Sequence, residues 1–276
     1  MAAEGAVTRP TFWRISHAGK IAFYLLAAAA ILAFVYGVYR RVDRYTRGSD
    51  EWFDRLDDLP TRIVTAARTV LSNRQLADRD AAAGAMHALI MWGFLTLVIG
   101  TTILAIDLDV YRPLTGVAGR ERSFFVGDFY LSYSLVMDAM GLLFVVGVGV
   151  ALYRRYAART ERLWGKHTDV EDDLFVWALF LLGVGGYATE GLRILGTGFP
   201  SFETVSFVGW FVADVLALAG VSESTAAAVY PAVWWSHSLL ALAFVAAIPY
   251  SKRFHMLSSF ANVVTRDEKA GARLPG

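Results

Sequence analysis

Residues 234–255 read WWSHSLLALAFVAAIPYSKRFH, an apolar run with a histidine near each end. His237 and His255 are 18 positions apart, which in a continuous α-helix is about 27 Å of rise and about five whole turns, so both imidazoles would project from one face. That length nearly crosses the hydrocarbon core of a bilayer. Ionisable side chains are costly and rare inside hydrocarbon, so such a residue marks a functional position, normally facing the bundle interior. Two on one stripe predict two axial metal ligands at different depths. The competing reading has His237 hydrogen-bonded to a neighbouring helix, as polar side chains between membrane helices commonly are, and His255 at the interface beside Lys252 and Arg253.

The composition sets the same frame. Apolar residues make up 56% of the chain, and several apolar runs reach the roughly 20 residues needed to span a bilayer. This predicts an all-α, polytopic membrane helix bundle forming a single membrane domain over 1–276, with no soluble catalytic domain. The sequence contains no cysteine, which excludes iron–sulfur ligation, thiolate haem ligation and disulfides within it. A metal would have to be held by His, carboxylate or Met. No Gly-rich phosphate loop, Walker pattern or zinc spacing occurs, so nothing points to nucleotide or nucleic-acid chemistry.

Five spans are expected, over about 21–39, 81–106, 129–153, 174–195 and 232–255. A cleaved signal peptide is the alternative for the first, but cleavage would export the arginine-rich stretch that follows it. An amphipathic segment over 59–80 reads either as a helix on the inner leaflet or as a docking platform for a soluble partner. The apolar stretch 207–221 is short for a span and contains Asp214, so it is expected to be interfacial or re-entrant. Pro249 should kink the inner end of the last span. Segments 40–80, 154–173 and 251–276 hold nine, five and five Lys or Arg, whereas 1–20, 107–128 and 196–230 hold three, three and none. Positive charge marks the cytoplasmic side, which predicts the N-terminus outside and the C-terminus inside.

Three further histidines and three charged residues complete the candidates. His87 sits about two turns into the second span; His17 precedes the first span; His167 lies in a charged loop and reads as solvated. Two neutral imidazoles on separate helices can fill both axial positions of a haem iron, which favours electron transfer over oxygen chemistry. Depth alone leaves open whether His87 faces His237 or His255, and His17 is the remaining outer histidine for a second site. Asp138 in the third span and Glu190 and Arg193 in the fourth are candidates for proton exchange and headgroup contact at a quinone site. The structural alternative for Glu190 and Arg193 is a local ion pair at i, i+3.

The stretches MHALIMWGFLTLVIGT (86–101) and WWSHSLLALAFVAAIPYSKRFHM (234–256) resemble the membrane haem b subunits of the respiratory nitrate reductase gamma-subunit and heterodisulfide reductase-like family. YSKRFHMLSSFANVV (250–264) is especially similar to the membrane domain of electron-transferring flavoprotein:quinone oxidoreductases. The resemblance, over about 21–264, implies five spans in a prokaryotic cytoplasmic membrane and haem b held by His87, His237 and His255. It further implies electron exchange with the quinone pool and a cytoplasmic iron–sulfur, flavin or molybdenum partner. Arg79, Lys252 or Arg253 would meet inward haem propionates. The gamma subunit carries two histidines ten apart on its second span; here Ala77 and Leu97 flank His87 at that spacing, which leaves one or two haems open. The rival functions are a cofactor-free membrane anchor or assembly subunit and a proton-coupled small-solute transporter using Asp138 and Glu190.

Overall fold

The computed structural model describes residues 7–47, 57–120, 122–159 and 169–266. Arg55, Arg162, Lys166, His167, Lys269 and Arg273, which entered the charge and histidine readings above, lie outside them. The described chain is helical, with no strand. In order it forms α1 (His17–Thr46), α2 (Leu59–Ser72), α3 (Arg74–Ala77), α4 (Ala81–Ala105), α5 (Arg112–Val117), α6 (Gly127–Leu152), α7 (Val170–Gly196), α8 (Phe207–Leu218), α9 (Glu223–Ala247) and α10 (His255–Val264). Five helical stretches are long and apolar enough to cross a membrane: His17–Thr46, Ala81–Val117, Gly127–Ala157, Val170–Gly196 and Glu223–Tyr250. Their outward faces carry large apolar side chains, such as Leu25, Leu32, Ile99 and Leu181. Such surface is tolerated where the solvent is lipid rather than water.

The chain divides into two compact units. One comprises Met1–Lys20 with Ala85–Leu240, the other Ile21–Gly84 with Ala241–Gly276.

In the first unit, helices approach closely where one of them carries glycine, which is how membrane helices gain contact without a hydrophobic drive between them. Gly93 on α4 lies against Phe144 and the Met140 carbonyl of α6, and Gly147 on α6 lies against Leu89 and Ile90 of α4. At the C-terminal end of α7 a buried cluster of Leu192, Ile194, Leu195, Ala213, Ala226 and Tyr230 joins α7, α8 and α9, with Trp13, Trp210 and Trp234 packed around it. Segment 7–16 folds onto this end. Thr8 donates to the Phe125 carbonyl (2.6 Å), and Trp13 stacks edge-on against Tyr230 (4.8 Å).

Helix α8 is 12 residues long, about 18 Å, too short to cross. Its first amides bond the carboxylate of Asp138, eleven residues into α6 and so about 17 Å along it. The chain therefore packs the start of α8 against the middle of α6 after leaving α7.

In the second unit the two amphipathic helices pair. Arg62 of α2 donates to the carbonyls of Val264 (3.3 Å) and Arg266 (2.8 Å), with Ala66 fully buried beneath. The continuous helix expected over 232–255 is not present. α9 ends at Ala247, a 3-10 turn covers Ile248–Tyr250, Ser251 is extended (φ −127°, ψ 176°), and a second 3-10 turn covers Lys252–Phe254 before α10 begins at His255. Pro249, lacking an amide hydrogen, ends the helix rather than bending it. The one-face geometry inferred for His237 and His255 falls with the helix.

Gly93→Val tests the α4–α6 contact. A Cβ there would stand 2.6 Å from the Phe144 Cβ and 2.9 Å from the Met140 oxygen, so the helices must separate. The expected outcome is a lower melting temperature in detergent, against no change for Gly149→Ala, where a Cβ meets nothing within 4 Å.

Candidate functional site

Several polar groups of the first unit gather near the C-terminal half of α7, facing α6, the turn before α8 and α8 itself. Arg193 is almost wholly buried, and a charge in that position must be paired. Its Nη1 and Nη2 reach the two carboxylate oxygens of Glu203, at 2.5 and 3.0 Å, a bidentate fork. Glu203 is fully buried and also accepts from the Tyr130 hydroxyl at 2.8 Å. The 3-10 turn Ser201–Val205 sets it there.

Glu190 forms the expected i, i+3 pair with Arg193, but at 3.7 Å, outside the tighter fork. It packs against Gly209, where a Cβ would come within 2.8 Å of its Oε2, with the Ser206 hydroxyl and the Arg9 guanidinium in its electrostatic surroundings. Arg9 itself lies over the rings of Phe125 (5.7 Å) and Tyr133 (5.8 Å).

Asp138 is buried and committed. Its Oδ2 accepts from the Val208 amide (2.8 Å) and its Oδ1 from the Gly209 amide (3.1 Å). These are orphan donors in the first turn of α8, and a carboxylate there satisfies them and complements the helix dipole. The Tyr187 hydroxyl donates to the Asp138 carbonyl at 2.5 Å, reaching it across Gly141. Asp138 thus holds a helix end, while Glu190 is the acid with freer oxygens.

His237 on α9 stands apart from this network. Its Nδ1 is buried with no hydrogen-bond partner. The ring lies against the bare backbone of α7: a Cβ on Gly185 would sit 3.1 Å from Nδ1, and one on Gly186 would sit 3.6 Å from Cε1. Those two glycines make the notch that admits the imidazole. Nδ1 is the nitrogen turned against α7, which leaves Nε2 as the one a ligand bond would use.

His87, half-buried on α4, belongs to the same unit as His237. His255 is exposed, belongs to the second unit, and turns its Nδ1 to the Lys252 carbonyl at 3.1 Å. His17 is exposed at the first turn of α1. Among the described residues no group of three or more His, Asp or Glu gathers to hold a metal ion. A haem needs no such group, only axial ligands.

Glu203 was not singled out from the sequence. Its partner lies ten residues away past a helix end, a spacing with no periodic signature. A signal existed, because 196–230 contains acids but no Lys or Arg, so any buried acid there must draw its counter-charge from an adjoining helix.

No protein-family model matches this sequence, and no solved structure matches it. The chain is similar to an EtfAB:quinone oxidoreductase of Syntrophomonas wolfei subsp. wolfei (strain DSM 2245B / Goettingen), 27% identical over 257 residues, covering 90% of this chain and 34% of that protein. It is also similar to the probable iron-sulfur-binding oxidoreductase FadF of Bacillus subtilis (strain 168), 28% identical over 259 residues, covering 92% of this chain and 34% of that protein. The chain spans about a third of the length of both relatives.

Arg193→Met should be severely destabilising, by about 3–5 kcal/mol, because it strands Glu203 as an unpaired buried charge. Thermal denaturation in detergent measures it. The double variant Arg193→Met/Glu203→Met should recover most of the loss, since no charge is then left without its partner.

Proposed function

We propose that this chain is the haem b-binding membrane subunit of a quinone-linked oxidoreductase, embedded in a prokaryotic cytoplasmic membrane with its N-terminus outside and C-terminus inside. The observation that carries this reading is His237, a half-buried imidazole seated in a notch made by Gly185 and Gly186, its Nδ1 buried without a hydrogen-bond partner. The names of the two distant relatives, one a quinone oxidoreductase and one an iron-sulfur-binding oxidoreductase, support the same direction.

His237 and His87 supply neutral nitrogen donors from separate helices of one unit, and His255 and His17 are the further axial candidates for a second haem. Haem b, when bound, takes up and passes on single electrons. The protein's part is to hold its imidazoles neutral, exclude water with the surrounding apolar side chains, and set the potential through those surroundings.

At the quinone, Glu190 is the proton-exchanging carboxyl. Glu203 and Asp138 are already saturated by Arg193, Tyr130 and the α8 amides, whereas Glu190 meets Arg193 only at 3.7 Å. Arg193 tunes that carboxyl rather than binding the quinone itself, since its fork is spent on Glu203. The soluble partner, an iron–sulfur, flavin or molybdenum protein, docks on the basic inner side near the α2–α10 pair.

Protein made with ample haem supply and purified in detergent should show a reduced-minus-oxidised haem b spectrum and one or two haem irons per polypeptide. His237→Ala and His87→Ala should each remove haem while leaving helix content by circular dichroism unchanged. Folded but colourless protein overturns the reading in favour of a cofactor-free anchor, and proton-coupled solute flux in liposomes without quinone overturns it in favour of a transporter.

A further inference from the structure

Where the apolar part of α1 ends, Arg40, Arg41 and Arg44 line a cavity of about 180 Å³ together with Gly37, Pro249 and Tyr250. The floor is apolar and fixed. Pro249 and the Tyr250 ring press onto Gly37 so closely that a Cβ there would stand 2.6 Å from the Pro249 Cβ. The Tyr250 hydroxyl donates to the Ala33 carbonyl at 2.7 Å. The wall is cationic and partly preset: Arg41 donates from Nε to the Pro249 carbonyl at 2.8 Å and lies over the Phe254 ring at 5.4 Å.

Arg40 and Arg44 are exposed. The acid within reach along the helix, Asp43, is taken by Arg47 at 2.5 Å. Three guanidinium groups thus line one space, and among the described residues no carboxylate lines it with them.

The depth of this cavity is marked independently. Tyr36, Tyr39, Tyr45 and Tyr250 around it are each more than half exposed, and tyrosines with a wet hydroxyl and an apolar ring collect at the boundary between headgroups and acyl chains. Guanidinium forks match phosphate oxygens in geometry and are weakly hydrated, so they bind phosphate where water is scarce. Basic pockets between membrane helices at this depth suit acidic lipid headgroups.

We infer that this cavity is a binding site for the phosphate headgroup of an anionic phospholipid. A zwitterionic headgroup carries its own ammonium into the cluster and is disfavoured by the three arginines. The inference rests on α1 and the Pro249–Tyr250 turn alone, so it is independent of the haem reading.

The test uses the full chain, stripped of lipid in detergent, offered equal amounts of phosphatidylglycerol and phosphatidylcholine, and analysed by native mass spectrometry. Phosphatidylglycerol should be retained preferentially. Arg40→Gln/Arg44→Gln should weaken its retention about thirtyfold, while Arg40→Lys/Arg44→Lys keeps most of it and Arg68→Gln/Arg74→Gln leaves it unchanged. Circular dichroism of each variant establishes that it is folded. Equal retention of the two lipids, or a preference that survives the double glutamine variant, overturns the inference. Displacement of the lipid by millimolar inorganic phosphate overturns it too, as that behaviour belongs to a soluble-anion site.

Discussion

Arg193 and Glu203 meet in a place that gives neither of them water. Inside hydrocarbon every charge and every backbone amide has to be answered by the protein itself, and much of the first unit can be read as the working out of that demand. The fork between the two side chains also takes in Tyr130, and so ties α6, α7 and the turn before α8 into one knot. A few residues further along, the same demand is met differently. Helix α8 starts inside the bundle, where its first amides have no water to bond, and the Asp138 carboxylate on α6 answers two of them. A short apolar helix can dip into the bundle only because a neighbouring helix carries an acid at the right height.

Against this background His237 stands out among the few buried polar side chains left without a partner. Its neighbours on α7 have given up their side chains to make room, and no donor or acceptor was put in their place. Glu190 is a milder case, held at a distance by an arginine whose strength is spent elsewhere. The two groups with unspent chemistry therefore sit on or against α7, the helix whose glycines and charges organise the unit.

The apolar runs were plain in the sequence because length and composition alone separate a membrane helix from a soluble one, and the short, acid-bearing stretch around Asp214 stood out from them for the same reason. The pairing of Glu190 with Arg193 was legible from helical spacing. What followed from long-range packing was not. Asp138 could be seen as a buried acid, but not as the cap of a helix seventy residues later in the chain. Glu203 sat in a turn with no periodic pattern to mark it. Pro249 announced a disturbance, yet the complete break depends on how Arg41 captures the Pro249 carbonyl and Tyr250 reaches back to Ala33, contacts that no local pattern contains. The common face of His237 and His255 was an extrapolation across that break.

Those same closures carry a consequence for biogenesis. Arg41 finds Pro249 208 residues downstream, Tyr250 reaches back 217 residues to Ala33, and Arg62 bonds a carbonyl 202 residues away. A ribosome delivers the first helix and the amphipathic one after it long before any of these partners exist, so the early segments must wait in the lipid while the roughly two hundred residues between them are made. The second unit is consequently sealed only after the whole of 85–240 has been made.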